Sequence, residues 1–223
     1  MSDDNSELSA LLRLMSWLSP AFPVGSFAYS SGLERAVEDG LVSGSAGLGE
    51  WLISLLTHGS LWNDAVLMAE AHRASADAER LAEYAELAEA LSGSRERHQE
   101  TMLLGDAFLT AAGAWPETAG LSDETMAYPV AVGLVAGLHS VPLDKAVAAY
   151  LHGFVSQGIS AGIRLSVCGQ KDGVSVIAAL EQVIAVTAER AARSTLDDLG
   201  SAAIQADIST LRHETQRVRL FRS

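Results

Sequence analysis

The chain has 223 residues, of which 48% are hydrophobic and 19% charged, and this length and composition suit one compact domain, or at most two small ones. Its formal net charge of −13 argues against duplex DNA or an anionic membrane as a general partner, because binding to phosphate needs a basic face. The single cysteine, Cys168, excludes an internal disulfide and fits a reducing compartment.

The N-terminal segment is typical of an amphipathic helix rather than of a targeting signal. Its first ten residues are acidic and polar. An apolar stripe at helical spacing follows, formed by Leu8, Leu11, Leu12, Met15 and Leu18. The longest apolar run, residues 126–138, is too short to span a bilayer and contains Pro129. We therefore expect a cytoplasmic protein with no membrane partner.

Residues 19–34, with the sequence SPAFPVGSFAYSSGLE, interrupt the helical pattern. Pro20 and Pro23 prevent helix continuation, so the first helix should end near Leu18. Ser31 and Glu34 have the spacing of a capping box, which predicts that the next helix starts with Ser31 as its N-cap.

Three aromatic residues, Phe22, Phe27 and Tyr29, lie in the same short loop. Such residues either fill a gap in the core or form an interface anchor, and the sequence leaves both possibilities open. We expect Phe27 to pack inward and fix the loop. We expect Tyr29 to be partly exposed, because its ring is apolar and its hydroxyl can bind water or a partner.

Helical periodicity continues along most of the remaining chain and predicts helices over 94–112, 130–138, 142–163 and 174–193, among others. Glycines lie where helices should end, at Gly40, Gly93, Gly113 and Gly173. Others lie inside helices, at Gly133, Gly137, Gly153, Gly158 and Gly162, which we interpret as close helix crossings, with a packed ligand or partner as the alternative. We predict an all-α fold, a single globular bundle of roughly eight to ten helices over residues 1–206.

Residues 207–223 differ from this domain in polarity and charge. Residues 211–223 hold four arginines and one glutamate, a net charge of +3, so the first 210 residues carry −16. We expect a basic C-terminal tail that is mobile in isolation and ordered on partner binding, with Leu220 and Phe221 as apolar anchors. Charged contacts would come from Arg212, Arg219 and Arg222. The alternative is a tail that folds back onto its own acidic body.

Motifs for catalysis and metal binding are missing from the sequence. It contains no GxxxxGK[ST], GxSxG or GxGxxG pattern and no CxxC pair, and no two of its six histidines are three to five residues apart. These absences favour a binding or scaffolding protein. An all-helical enzyme acting on a small molecule is the alternative, which a deep pocket with converging titratable groups would favour.

Three motifs, in this order along the chain, resemble those of the UreF family of urease accessory proteins. They are LSPAFPVGSFAYSSGLERAVEDGLV (residues 18–42), GQKDG (169–173) and LRHETQRVRLFRS (211–223). The segment SRERHQETMLLGDAFL (94–109) also resembles the central helix of that family. These segments extend over nearly the whole chain.

The resemblance implies an all-helical, dimeric, non-catalytic cytoplasmic protein. It implies a complex with UreD (also called UreH) and the GTPase UreG, which delivers nickel to apo-urease. Because the sequence lacks a cluster of metal-ligating residues, we expect no tightly bound cofactor and no metal ligand in this chain, and the resemblance implies that the assembled complex handles nickel. By the same resemblance, partner-binding residues lie in the first and last motifs: Phe22, Pro23, Gly25, Phe27, Tyr29, Ser30, Gly32, Glu34, Arg212, His213, Glu214, Thr215, Gln216, Arg219, Leu220 and Phe221.

Overall fold

The computed structural model describes residues 2–223, with side chains from Ser6 onward, and this range forms ten α-helices, three short 3₁₀ helices and no β-strand. The predicted all-α fold is confirmed. The helices are α1 (Ser2–Trp17), α2 (Leu33–Glu38), α3 (Gly44–His58), α4 (Ser60–Arg73), α5 (Ala78–Ala90), α6 (Arg95–Ala112), α7 (Tyr128–Leu138), α8 (Leu143–Arg164), α9 (Gln170–Ala191) and α10 (Ile204–His213). The 3₁₀ helices are Ser26–Ala28, Pro116–Thr118 and Leu196–Asp198.

The centre of the bundle is α7, which is apolar on all sides and packs between α4 and α6. Around it α8 packs against α9, and α9 against α3. The crossing of α7 and α4 is close at Gly133, where an added Cβ would lie 2.3 Å from the carbonyl oxygen of Met68. The predicted close approach of backbones is confirmed there and at Gly137. At Gly158 and Gly162 the neighbours are the side-chain methyl groups of Leu52 and Leu48, and at Gly153 the nearest atom is at an ordinary 3.9 Å.

Helix ends agree with the glycine pattern at three of the four predicted positions. Gly113 is the C-cap of α6, and Gly40 and Gly93 follow α2 and α5 closely. The prediction that Gly173 marks a helix end was wrong. Gly173 lies buried in the first turn of α9. The helix starts earlier since the carboxylate of Asp172 accepts the N–H of Gly169 at 3.2 Å and caps the turn.

The first helix exposes four of the five residues of the predicted apolar stripe, and the fifth, Leu18, follows the helix and packs against the core. Leu8, Leu11, Leu12 and Met15 are each more than half exposed. The buried face of α1 consists instead of Ala10, Leu14 and Trp17, and Trp17 packs edge-on against Trp115 with ring centroids 5.6 Å apart. The stripe is therefore a solvent-facing apolar surface.

The C-terminal residues pack against the body of the chain. The boundary expected at residue 207 falls inside α10, which contacts α2 and α6. His213, Phe221 and Ser223 are each at most 3% exposed. A mobile tail is not confirmed, and the structure shows the alternative, a tail folded back onto the acidic body. The physical reason is a set of buried carboxylates that receive it, described below.

Among the described residues, no helix has both the length and the hydropathy needed to cross a bilayer.

Candidate functional site

Most of the residues predicted to bind partners meet at one place, which we call the tail junction. It consists of residues 26–34, residues 94–100 at the start of α6, and residues 212–223. The first and last of these segments are almost 200 residues apart in the sequence, as shown by the N–H of Ser30, which donates to the main-chain oxygen of Ser223 at 2.9 Å. The junction therefore exists only in the folded chain.

The start of α2 differs from the predicted capping box. Its N-cap is Gly32 rather than Ser31, and the Ser31 hydroxyl instead donates to Glu100 at 3.0 Å. Gly32 has a φ of +81°, and an added Cβ would lie 2.7 Å from Oγ1 of Thr210 and 3.0 Å from its main-chain nitrogen. Only glycine fits without strain, because the backbone of α10 occupies the space that a side chain would need. The side chain of Glu34 is thus available for another role.

Glu34 holds the tail by its backbone. The carboxylate is buried; its Oε1 accepts the N–H of Leu220 at 2.7 Å and its Oε2 that of Phe221 at 2.9 Å. Two amide hydrogen bonds to one carboxylate set the direction of the tail. As a result Phe221 is buried at 3% exposure, whereas Leu220 remains 53% exposed.

His213 lies between two carboxylates at the centre of the junction. Its fully buried ring has Nδ1 2.6 Å from Glu96 Oε2 and Nε2 3.3 Å from Glu34 Oε2. The other oxygen of Glu96 accepts a hydrogen bond from Arg219 at 2.5 Å. Buried carboxylates are stable only when they are paired, so loss of one member of this cluster would leave the others uncompensated.

The end of the tail connects to a polar chain in the core. The Ser223 hydroxyl donates to Glu100 at 2.7 Å, and Glu100 is 3.5 Å from the guanidinium of Arg97. Arg97 in turn pairs with Asp64 at 2.5 Å, and Asp64 accepts a hydrogen bond from Tyr150 at 3.0 Å. Burial opposes the charge of Arg97, but Asp64 and Glu100 outweigh it and raise the pKa of the guanidinium above its usual value. Burial, together with Asp64, raises the pKa of Tyr150 well above its usual value.

In the aromatic loop, the exposure of Phe27 and Tyr29 is the reverse of what was predicted. Phe27 is 71% exposed and Tyr29 only 6%, so the predicted inward Phe27 and exposed Tyr29 were both wrong. Burial raises the pKa of Tyr29. Phe22 is half-buried and packs against the core, with its ring centroid 5.5 Å from that of Phe108. Of the two possibilities left open for this loop, core filling applies to Phe22 and Tyr29, and Phe27 alone is presented to solvent.

Side chains of two distant residues hold the loop in this orientation by donating hydrogen bonds to its main-chain carbonyl oxygens. Gln157 of α8 donates to the carbonyl oxygens of Ser26 and Tyr29, the second at 3.1 Å. Arg164, at the end of α8, donates to the carbonyl oxygen of Phe27 at 2.6 Å, and its guanidinium lies 4.2 Å from the centroid of the Phe221 ring. Arg164 therefore contacts both the loop and the tail.

The other predicted residues have local roles at the edge of the junction. Arg212 pairs with Asp39 at 2.6 Å, and Glu214 accepts the N–H of Arg95 at 2.8 Å. Thr215 and Gln216 hydrogen-bond to main-chain oxygens of the tail itself, and Gly25, with a φ of +78°, turns the loop after Pro23. These contacts shape the tail and the loop.

Sequence reasoning missed four residues that build the junction: Glu96, Glu100, Gln157 and Arg164. A signal existed for the two glutamates, since their i, i+4 spacing places them on one face of the predicted central helix. None existed for Arg164, which is 137 residues from its partner in the loop.

The arrangement suits binding rather than chemistry. Among the described residues, no group of three or more His, Cys, Asp or Glu side chains is placed to hold a metal ion. The junction instead exposes three large apolar side chains on a rigid backbone, namely Phe27, Leu220 at 53% and Val218 at 84% exposure. Exposed apolar groups on an ordered surface are typical of a protein-binding site.

Comparison with known proteins gives consistent matches over the whole chain. The model of the UreF family matches residues 42–181. A urease accessory protein UreF of Rhizobium etli is 65% identical, with all of both chains covered. The UreF of Agrobacterium fabrum is 61% identical over 98% of each chain, and a UreF 1 of Brucella canis is 59% identical over 98% of this chain and 96% of its own.

Proposed function

Because the chain belongs to the UreF family of urease accessory proteins, we propose that it is a cytoplasmic scaffold for urease activation. It is an accessory protein by family, not an enzyme. In the proposed role it bridges UreD (also called UreH) and the GTPase UreG and modulates GTP-dependent nickel delivery to apo-urease.

The exposure of Phe27 is the observation that carries this proposal. A Phe that is 71% exposed costs free energy in water, and here two side chains of α8, Gln157 and Arg164, hold its loop in place. Aromatic side chains on a preorganised backbone bind partners with little loss of conformational entropy. Together with Val218 and Leu220, Phe27 forms the apolar part of the proposed partner surface on the tail junction.

The α1 stripe supports a homodimer. Leu8, Leu11, Leu12 and Met15 form one exposed apolar face over two helical turns, and a two-fold axis would pair this face with itself. Replacing Leu12 by Glu should give a monomer in analytical ultracentrifugation. Replacing Leu41, which is 47% exposed outside α1, by Glu should not. A dimer that persists in the Leu12 variant would contradict this assignment.

Nickel is handled by the assembled complex in this proposal. Nickel sites need imidazole, thiolate or carboxylate groups that converge on one point, and His213 already has both ring nitrogens beside carboxylates within the tail junction. Calorimetry on the purified chain should therefore detect no stoichiometric site of nanomolar affinity. Detection of such a site would contradict the proposal.

Co-purification with UreD and UreG, with and without GTP, tests the scaffold role directly. Phe27→Ala should leave the melting temperature within about 1 °C, because the ring is largely solvated, but should lower capture of UreD at least tenfold. Val186→Ala, at an exposed apolar position on α9, is the matched control and should keep full capture. Full capture by the Phe27 variant would contradict the assignment of this surface.

A further inference from the structure

An apolar groove lies between α5, α7 and the segment 116–127. It is open, has a volume of about 550 Å³, and takes its apolar lining from Leu81, Ala85, Leu121, Leu134 and Leu138. None of these residues takes part in the tail junction. The groove is thus a second surface with its own composition.

Two of the segments that form this groove are acidic. Glu86 and Glu124 line it directly. By formal charge α5 carries four glutamates against Arg80, a net −3, and residues 116–127 carry a further −3 from Glu117, Asp123 and Glu124. These two short segments therefore account for −6 of the −13 on the whole chain.

Most of this charge is not compensated within the chain. Over the part that the structure describes, the ion pairs at these segments are those of Arg80 with Glu70, Glu117 with Arg13 and, when the His98 ring is protonated, Glu89 with His98. The carboxylates that form no ion pair there are Glu79, Glu83, Glu86, Asp123 and Glu124. An apolar groove bordered by unpaired carboxylates attracts a ligand that is apolar on one face and cationic on its edges.

We propose that this groove binds a basic amphipathic helix of a partner protein, at a site separate from the tail junction. The lining residues on α5 run from Ala78 to Glu86, about 12 Å at 1.5 Å per residue, which fits a partner helix with about two to three turns in contact. Apolar partner residues at i, i+3 or i+4, and i+7 would enter the groove, and Lys or Arg beside them would pair with Glu86 and Glu124.

The charge of the groove disfavours two other ligands, a second copy of this chain and an anionic membrane. A second copy would bring an acidic body of −16, and its own basic segment, residues 211–223, is docked through Arg212 to Asp39 and through Arg219 to Glu96. An anionic membrane would be repelled for the same reason. A cationic helix is the occupant that the groove attracts.

Photo-crosslinking in a mixture of purified proteins tests this inference. The inference rests on the proposed scaffold function only in that this function determines which partner proteins are added. Ala82, an exposed lining residue, is replaced by p-benzoylphenylalanine, and the full chain is mixed with purified UreD, UreG and apo-urease of the source organism. The crosslinked peptide is then identified by mass spectrometry. We expect it to come from a helical segment of one partner with a net positive charge, and we expect no crosslink to that segment from the same group at Val186.

Two pairs of charge-reversal substitutions distinguish the effect of charge at the groove from the effect of net charge on the whole chain. Glu86→Lys with Glu124→Lys should lower the crosslink yield at least tenfold. Glu181→Lys with Glu189→Lys, which changes the net charge equally on the exposed face of α9, should lower it less than twofold. Raising the salt concentration from 50 to 500 mM should weaken the crosslink of the unmodified groove, because exposed ion pairs are screened.

Three results would overturn the proposal: no specific crosslink from position 82, a crosslink to an acidic or uncharged segment or to a second copy, or equal loss in the two charge-reversal pairs. If a complex assembles through the tail junction but gives no crosslink from the groove, only the proposal that the groove binds a helix is refuted. Failure of any complex to form would refute the scaffold function as well.

Discussion

Replacing Gly32 by Ala should separate α10 from α2 and release the tail. Two effects combine at this position: a backbone with a φ of +81°, and the Thr210 side chain and main-chain nitrogen 2.7 and 3.0 Å from an added Cβ. Gly25, in the same loop, provides a matched control. It has a φ of +78°, but an added Cβ there meets nothing within 4 Å.

The two variants should therefore differ by the packing effect alone. A non-glycine residue in the left-handed region costs about 1 kcal/mol, and this applies to both positions. Overpacking against the backbone of α10 adds about 2 kcal/mol at Gly32. For a domain of this size 1 kcal/mol shifts the melting temperature by about 3 °C, so we expect losses of about 3 °C for Gly25→Ala and about 9 °C for Gly32→Ala.

Differential scanning calorimetry measures these shifts, and limited trypsin digestion reports release of the arginine-rich tail. Tail cleavage should accelerate in Gly32→Ala and not in Gly25→Ala. Thr210→Ala removes the 2.7 Å contact but not the main-chain one, so in the double variant it should restore part of the lost stability. Equal thermal losses for the two glycine variants, with equal tail cleavage, would refute the reasoning that α10 is held by close packing at Gly32.

Two further predictions concern Arg164 and His139. Arg164→Ala should cost about 2 kcal/mol, from one hydrogen bond and one ring contact, and should reduce UreD capture because the Phe27 loop loosens. Arg190→Ala, which removes a similar ring contact 3.8 Å from the Trp62 centroid, should cost about 1 kcal/mol and leave capture intact; equal capture by both would contradict a positioning role for Arg164. Burial, helped by the charge of Arg13, lowers the pKa of His139 below its unfolded value of about 6.5, so the stability that this residue contributes is present above that pH and is lost as the pH falls. Urea unfolding at pH 7 and pH 5 should therefore show a smaller stability loss on acidification for His139→Gln than for the unchanged chain, and an identical loss would contradict this linkage.

The helices could be predicted from the sequence because their cause is local. Apolar residues at spacings of three and four residues predict an amphipathic helix, whichever of its faces is buried in the fold. Pro20 and Pro23 end the first helix through the geometry of their own rings. The close crossing at Gly133 was predictable for a related reason, since a glycine inside a helix usually marks a neighbouring backbone. The family was recognisable from short motifs that also depend only on local order.

The orientation of each segment could not be predicted in the same way. For α1 the choice between the Leu11 face and the Trp17 face depends on Trp115, which lies about a hundred residues away. Phe27 points outward because Gln157 and Arg164 hold the carbonyl oxygens of its loop from α8. Such contacts leave no periodic trace in the sequence near the loop.

The C-terminal tail shows most clearly which properties the sequence determined and which the tertiary structure determined. The sequence by itself determined its charge, its separation from the acidic body and the attraction between the two, because formal charge depends on composition alone. Only the tertiary structure decided that the attraction becomes a buried, ordered contact. Glu34 from α2 and Glu96 from α6 come within hydrogen-bonding distance of Leu220, Phe221, His213 and Arg219 only when the bundle has folded. Direct pairing of buried carboxylates requires distances of about 3 Å, and such distances between segments more than 100 residues apart are set by packing, not by composition.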